Sequence, residues 1–128
     1  MNNKKRKYKY KRVLICGSRD FNNKKAIRDV IKKLRKDCTV IEGGAPGADT
    51  LARKEAIRAD LNFEEYVADW KTYGPKAGPY RNFRMIKEGK PEVVFAFFSG
   101  ERQESRGTMN MVMQAKEHGI PVIDNIIE

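Results

Sequence analysis

Residues 12–19 read RVLICGSR, and they give the clearest indication of the fold class. Four consecutive apolar residues that end at a glycine are typical of a short strand buried on both faces. A later stretch, residues 91–98, reads PEVVFAFF and has the same character. Strands without a polar face belong to parallel sheets that are covered by helices on both sides. The sequence therefore predicts an α/β protein with a mostly parallel sheet.

The segments around these two stretches alternate between helix and strand patterns. With Asn22 or Asn23 as its cap, a first helix has apolar residues at the spacing of one helical face: Ile27, Val30, Ile31 and Leu34. Further strands are predicted at 39–42, 65–68 and 119–123, and further helices at 48–59, from 79 or 80 to 88, and at 108–118. Residues 69–79 and 99–106 read as loops. Right-handed crossovers then predict a three-layer Rossmann-like domain of about five strands, in the order 3-2-1-4-5.

Length and charge divide the chain into a basic arm and a single domain. The chain has 128 residues, so we expect an arm at 1–11 and one domain at 12–128. Seven of the first twelve residues are Lys or Arg and none is acidic. Because Tyr8 and Tyr10 alternate with these lysines, the arm either stacks on nucleobases and neutralises phosphates or is a solubilising tail that lengthens the first strand.

Composition argues against several classes of protein. The longest apolar run, residues 93–98, is too short to cross a bilayer, and no secretory signal is evident, so we expect a cytoplasmic protein that does not bind membranes. Cys16 and Cys38 form no Cys-x-x-Cys pair and are expected to be reduced packing residues. The single histidine, His118, has no ligand spacing to either cysteine, so we expect no metal. Dinucleotide and P-loop fingerprints are missing, and we expect no cofactor.

Three loops that follow predicted strands combine glycine with hydrogen-bond donors. They read GSRDF at 17–21, GGAPGAD at 43–49 and SRGT at 105–108. Loops at the carboxyl ends of parallel strands share one edge of the sheet. Glycine lets the backbone approach a ligand closely, and helix N-termini attract anions. The sequence thus predicts a crevice at this edge for a phosphate-bearing ligand of nucleotide size.

Four motifs in chain order resemble the YspA/cpYpsA-related branch of the SLOG superfamily, which also includes the DprA and LOG proteins. The motifs are GSRxF at 17–21, GGAxGAD at 43–49, ADW at 68–70 with AGPxRNxxM at 77–85, and GT at 107–108. The resemblance implies a Rossmann-like pocket in which a sensor or sequestering protein binds a nucleotide or a nucleotide derivative. The residues that would bind it are Gly17, Ser18, Arg19, Gly43, Gly44, Asp49, Trp70, Arg81, Asn82, Gly107 and Thr108.

Residue chemistry suggests a task for each of the main side chains in this set. Arg81 would hold a phosphate through two parallel hydrogen bonds, and the Gly107 amide and Thr108 hydroxyl would donate at a helix start. Asp49 would either accept from ribose hydroxyls or serve as an acid favoured at a helix N-terminus. Trp70 would either stack on a base or cover the edge of the sheet.

The superfamily leaves two other functions open. LOG-type phosphoribohydrolases, which cleave an N-glycosidic bond, have a signature similar to GGxGTxxE, and here Met111 stands at the glutamate position. Methionine cannot accept a proton, so no catalytic residue is assigned. Another carboxylate could substitute: Asp20, Asp49, Glu101 or Glu104. In the remaining alternative, the arm and the crevice bind single-stranded nucleic acid, as the resemblance to DprA implies. The superfamily also leads us to expect a homodimer.

Overall fold

A five-stranded parallel sheet forms the centre of the protein. The structure, a computed structural model, describes residues 7–100 and 105–126. The strands are β1 (Arg12–Gly17), β2 (Thr39–Glu42), β3 (Asn62–Glu65), β4 (Val93–Phe98) and β5 (Val122–Ile126). Their order is β3-β2-β1-β4-β5, and every neighbouring pair is parallel. The predicted α/β fold class and the predicted strand order are both confirmed.

Helices cover both faces of this sheet. They are α1 (Lys24–Lys32), α2 (Ala48–Arg58), α3 (Trp70–Tyr73), α4 (Ala77–Lys87) and α5 (Arg106–Glu117), with a 3₁₀ turn at Gly74–Lys76. Asn23 caps α1, because its side chain accepts a hydrogen bond from the Ala26 amide. Helices α1 and α2 pack on one face, and α4 and α5 pack on the other. Within the described residues, no helix combines the length and the apolar character needed to cross a membrane.

Alternate residues of each central strand belong to different cores. Val13 and Ile15 of β1 pack with α1 and α2, whereas Leu14 and Cys16 pack with α4 and α5. Because both faces of the strand are buried, the apolar run in the sequence is continuous rather than alternating. Both cysteines are buried and unpaired, as their spacing predicts.

The predicted third strand was wrong by three residues. We expected it at 65–68, but β3 spans Asn62–Glu65. It is the edge strand of the sheet, and most of its side chains are exposed. Charged residues protect such an edge from pairing with other chains, so the strand lacks the apolar signature that identified the others. Ala59, which we expected on the inner face of α2, is the exposed residue that follows the helix.

The predicted loop at 69–79 is largely helical. Residues 70–73 form α3, and α4 begins at Ala77 rather than at 79 or 80. Pro79 lies in the first turn of α4, where a backbone N–H has no helical partner, so the proline does not delay the helix. The predicted boundaries of α5 and β5 were wrong by two and three residues at their starts.

The described part of the basic arm lies against the sheet. The Tyr8 ring meets Phe95 edge-on at a centroid distance of 5.2 Å, and Tyr10 stacks on Tyr8 at 6.0 Å. The Tyr8 amide also donates to the Lys33 carbonyl at 2.9 Å. Both rings are half-buried and engaged in packing, and stacking on nucleobases stays a prediction. The alternative extension of the first strand is wrong for residues 7–10, because β1 begins at Arg12. Residues 1–6 of the predicted arm lie outside the described residues.

Candidate ligand-binding crevice

A crevice of about 1060 Å³ lies beyond the carboxyl ends of β1 and β4, where the strand order reverses direction. Its walls come from the loops after β1, β2 and β4, from the 3₁₀ turn and from α4 and α5. Nine of the eleven predicted site residues line it: Gly17, Ser18, Arg19, Asp49, Trp70, Arg81, Asn82, Gly107 and Thr108. Gly43 and Gly44 do not line it, but the Gly43 amide donates to Asp49 Oδ2 in its wall and the Gly44 amide donates to Glu42 Oε1.

Close backbone contacts build the bottom of the crevice. A Cβ atom on Gly17 would lie 2.2 Å from the Phe97 carbonyl oxygen, and a Cβ atom on Gly47, where φ is +81°, would lie 2.2 Å from the Ser18 carbonyl oxygen. Ser18 is buried, and its amide donates to the Phe97 carbonyl at 2.9 Å. Its hydroxyl accepts from the Ser99 amide at 3.0 Å. Gly17 and Ser18 therefore join the ends of β1 and β4.

Asp49 is held by one carboxylate oxygen. Its Oδ2 accepts from the amides of Gly43 and Ala45 at 3.0 and 3.4 Å, and its Oδ1 makes no hydrogen bond with a described residue. The residue is 6% exposed, and burial raises the pKa of its carboxyl group to about 6, although the Arg81 guanidinium and the two amides act in the opposite direction. Asp49 therefore presents a fixed oxygen to the crevice, and its pKa lies well above the usual range of an aspartate.

Arg81 does not present a free guanidinium fork. Its Nη1 donates to the carbonyl oxygens of Gly43 and Tyr66, and its Nε donates to Asn82 Oδ1 at 3.0 Å. Only Nη2 has no bond to a described residue, so these contacts do not support the expected two-bond grip on a phosphate, which stays a prediction. Burial lowers the pKa of Arg81, whereas the charge of Asp49 raises it.

Gly43 separates the charged groups of Asp49 and Arg81. A Cβ atom at this position would lie 2.6 Å from Arg81 Nη1 and 2.9 Å from Asp49 Oδ2. The residue therefore has to be glycine for the guanidinium and the carboxylate to approach the same peptide unit.

Sequence reasoning missed Glu42, a buried carboxyl group at the end of β2. Its Oε1 accepts from the Gly44 amide at 2.6 Å, and its Oε2 is buried without a partner among the described residues. Burial raises the pKa of Glu42 to about 8, the Gly44 amide lowers it, and the nearby Glu65 raises it further. The sequence does contain a feature that could have identified Glu42, because this carboxylate directly precedes a Gly-Gly pair. The strand pattern accounts for Glu42 only as the last residue of a strand.

The first turn of α5 faces the crevice without a side-chain cap. The Ser105 hydroxyl donates to Thr108 Oγ1 at 2.6 Å instead of accepting from an amide of the first turn. The amides of residues 106–108 have no partner within the helix. A Cβ atom on Gly107 would have no heavy atom within 4 Å, so the backbone is open to a ligand there.

Asn82 holds the start of α5 in place. Its Nδ2 donates to the Gly107 carbonyl at 3.2 Å and to Asn110 Oδ1 at 3.0 Å. Its Oδ1 accepts from Arg81, as described above. Because both functional atoms of this buried amide are engaged, Asn82 positions the crevice walls.

Two arginines at the mouth of the crevice are exposed. Arg19 and Arg106 line it, and their guanidinium groups make no hydrogen bond or ion pair with another described residue. The charge of Arg19 also lowers the pKa of Arg81, which indicates that the two cations are near each other. Arg106 was missing from the predicted set, although it precedes Gly107 in the loop motif. These cations and the α5 amides are suited to bind an anion.

Trp70 lines the crevice, and of the four carboxylates that could replace the hydrolase glutamate, Asp20 and Asp49 do so as well. Trp70 is 53% exposed and rests against Gly78, where a Cβ atom would lie 3.1 Å from the indole ring. Asp20 accepts a hydrogen bond from the Ser99 hydroxyl. The other candidates, Glu101 and Glu104, lie outside the described residues. No three His, Cys, Asp or Glu side chains within 7–100 and 105–126 are grouped to hold a metal ion.

Comparisons with known proteins give consistent results. The model of the YspA, cpYpsA-related SLOG family matches residues 11–73. The Gene 61 protein of Mycobacterium phage D29 is 36% identical over 123 residues, which cover 89% of this chain and 95% of that protein. The X-ray structure of DNA processing protein A (DprA) from Streptococcus pneumoniae is similar in fold, with a TM-score of 0.71 at 20% identity. This match covers 90% of the chain but only 50% of the DprA chain.

Proposed function

Because the chain belongs to the YspA, cpYpsA-related SLOG family, we propose that it binds a nucleotide or a nucleotide derivative in the crevice, as a sensor or a sequestering protein. Family and fold support a function related to nucleotides or nucleic acids. The observation that carries the proposal is the convergence of two unpaired cations, Arg19 and Arg106, with the uncapped start of α5. Such a combination favours a phosphate group.

The remaining crevice residues fit the other parts of a nucleotide. Asp49 Oδ1 is an acceptor for a ribose hydroxyl, because Oδ2 is already held by two amides. The exposed face of Trp70 offers a stacking surface for a base at the edge of the crevice. The ligand thus has its phosphate at α5 and its base at α3.

Calorimetric titration of the full chain with AMP, GMP, CMP and UMP tests this proposal. We expect at least one of them to bind, and the double variant Arg19→Gln/Arg106→Gln to bind it roughly 100-fold more weakly, since a hydrogen bond to a charged group contributes about 1.5–3 kcal/mol. Lys32→Gln/Lys116→Gln is the matched control, because both lysines are exposed and lie outside the crevice. Equal affinity of the arginine variant and the control would contradict the proposed phosphate position.

Hydrolysis of the N-glycosidic bond is a second candidate, which the geometry of Asp49 favours. Met111, at the position of the hydrolase glutamate, is 1% exposed and packed in the core, so it takes no part in proton transfer. In this reaction a water oxygen attacks C1′ while Asp49 Oδ1 accepts its proton. The C1′–N bond breaks, its electron pair stays on the base nitrogen, and that nitrogen is protonated by solvent.

Release of free base from the bound nucleotide distinguishes the two candidates. Since only the ionised Asp49 accepts a proton, the rate should rise as the pH passes about 6, and Asp49→Asn should remove it while its amide oxygen still accepts from Gly43 and Ala45. Binding without any release of base would contradict hydrolysis and leave the binding proposal intact.

The homodimer, the cytoplasmic location and the division into arm and domain stay predictions. Sedimentation velocity of the full chain tests whether it forms a homodimer.

A further inference from the structure

A second surface with a distinct composition lies beside the crevice, on α3, the 3₁₀ turn and α4. Residues 70–87 contain no Asp or Glu, and they contain five basic residues: Lys71, Lys76, Arg81, Arg84 and Lys87. They also contain four aromatic side chains that are 41–53% exposed: Trp70, Tyr73, Tyr80 and Phe83. We propose that this α3–α4 surface binds single-stranded nucleic acid by stacking bases on its aromatic rings. This surface adjoins the crevice, with which it shares Trp70 and Arg81, but its two tyrosines and its lysines lie outside it, so the inference does not depend on nucleotide binding.

The aromatic side chains are concentrated on this surface and are held in place. Eight large hydrophobic side chains of the described residues are exposed, and half of them lie within this short segment. The rings of Tyr73 and Tyr80 support each other at a centroid distance of 5.1 Å and an angle of 48°. Trp70 is backed by Gly78. Rings that are already positioned lose little conformational freedom when bases stack on them.

The charges of this surface favour a polyanion as its partner. Lys71, Lys76 and Lys87 are exposed, and their ammonium groups have no hydrogen bond or ion pair within the described part of the chain. Arg84, in contrast, is paired with Glu88. Because the unpaired groups all carry the same sign, two copies of this surface placed face to face would repel each other. A nucleic acid supplies the opposite charge at every phosphate.

Exposed aromatic rings next to lysines favour a single strand over a duplex. The faces of bases in a duplex are covered by their neighbours, whereas those of a single strand are free to stack on a protein ring. Stacking on Tyr73, Tyr80 and Trp70 would place the phosphates near the surrounding ammonium groups. Since Trp70 also lines the crevice, a strand bound here would pass along the mouth of the crevice.

The sequence contains one tryptophan, Trp70, so its fluorescence reports on this surface and on the adjoining mouth of the crevice. Variants at Tyr73 and Tyr80 separate the two, because neither tyrosine lines the crevice. Titration of the full chain with an oligothymidylate of about 20 nucleotides should quench that fluorescence. The variant Tyr73→Ala/Tyr80→Ala should bind the oligonucleotide about tenfold more weakly or worse, which is the usual effect of removing stacked rings. Phe63→Ala, an exposed aromatic residue on β3, is the matched control and should bind normally.

The salt dependence of oligonucleotide binding tests the contribution of the lysines with a second, independent variant. Replacing two phosphate-binding lysines, Lys71→Gln/Lys76→Gln, should reduce the slope of log K against log salt by about 1.4, since each phosphate contact to a single strand contributes about 0.7. Lys32→Gln/Lys116→Gln should leave the slope unchanged, because both lysines lie elsewhere on the surface.

Three results would overturn the proposal. The first is an oligonucleotide affinity and salt slope that neither set of variants changes. The second is equal affinity for a duplex of the same length. The third is a loss of self-association in the tyrosine variant with unchanged oligonucleotide affinity, which would assign the surface to a second copy of the chain. Titration with AMP and GMP in parallel keeps the two proposals separate, because Tyr73 and Tyr80 do not line the crevice.

Discussion

Both the bottom and the mouth of the crevice contain an arginine and a glycine, but these residues hold the walls together at the bottom and are open to a ligand at the mouth. At the bottom, Arg81 is bonded to neighbouring carbonyl and amide groups and Gly17 is closed in by backbone atoms. At the mouth, Arg19 has no partner among the described residues and Gly107 has open space around it. A motif residue can thus be required for positioning or for binding, and its burial and its partners distinguish the two.

The largest effect is expected from a substitution at the bottom of the crevice. The Cβ atom of Gly17→Ala would lie 2.2 Å from the Phe97 carbonyl oxygen, so two adjacent strands must move apart. We expect a loss of about 3 kcal/mol or more in the free energy of unfolding, measured in urea. A loss below about 1 kcal/mol would show that the two strand ends are not rigidly joined.

Arg81→Ala should have the next largest effect and tests whether this arginine belongs to the bottom or to the mouth. Its removal leaves the Asp49 carboxylate without a nearby cation, and we expect a loss of about 2 kcal/mol near neutral pH. Without the arginine the pKa of Asp49 rises further above its unfolded value, so the loss should be larger at pH 8 than at pH 5. Arg19→Ala is the control and should unfold like the original chain; a similar loss there would erase the distinction.

Glu42→Gln should stabilise the protein by about 1–2 kcal/mol at pH 8. The pKa of Glu42 is raised to about 8 in the folded state, so the folded chain binds more protons than the unfolded chain and its stability falls as the pH rises from about 4.5 to 8. Glutamine removes this dependence and keeps the acceptor for the Gly44 amide. The gain should vanish at pH 4, and Glu117→Gln, at an exposed position, should give none at either pH.

The smallest effect on stability is expected at the mouth. Gly107→Ala should stabilise α5 by about 0.5–1 kcal/mol, because alanine is the better helix former and its methyl group meets no neighbour. The same methyl group would stand where a ligand approaches the amides, so nucleotide affinity should fall. Thermal unfolding and calorimetric titration of one sample measure both effects. A stabilised variant with unchanged affinity would move the ligand away from α5.

The fold was predictable where burial leaves a pattern in the chain. The continuous apolar runs of β1 and β4 identify central strands, and the handedness of crossovers then limits the order of the sheet. The edge strand β3 was misplaced because an exposed strand has no such pattern. Likewise, the predicted helix start at Pro79 or Tyr80 is two to three residues late, because the first turn of a helix tolerates proline.

The layered fold and the loops that meet at one edge of the sheet follow from the amino-acid sequence, because apolar periodicity and glycine-rich turns are local properties of a chain. Which side chains are already engaged depends on tertiary packing. The contact of Arg81 with Gly43 joins residues 38 positions apart, and the burial of Glu42 depends on elements packed around β2. Interactions of this kind arise when distant segments pack together, and no local pattern encodes them.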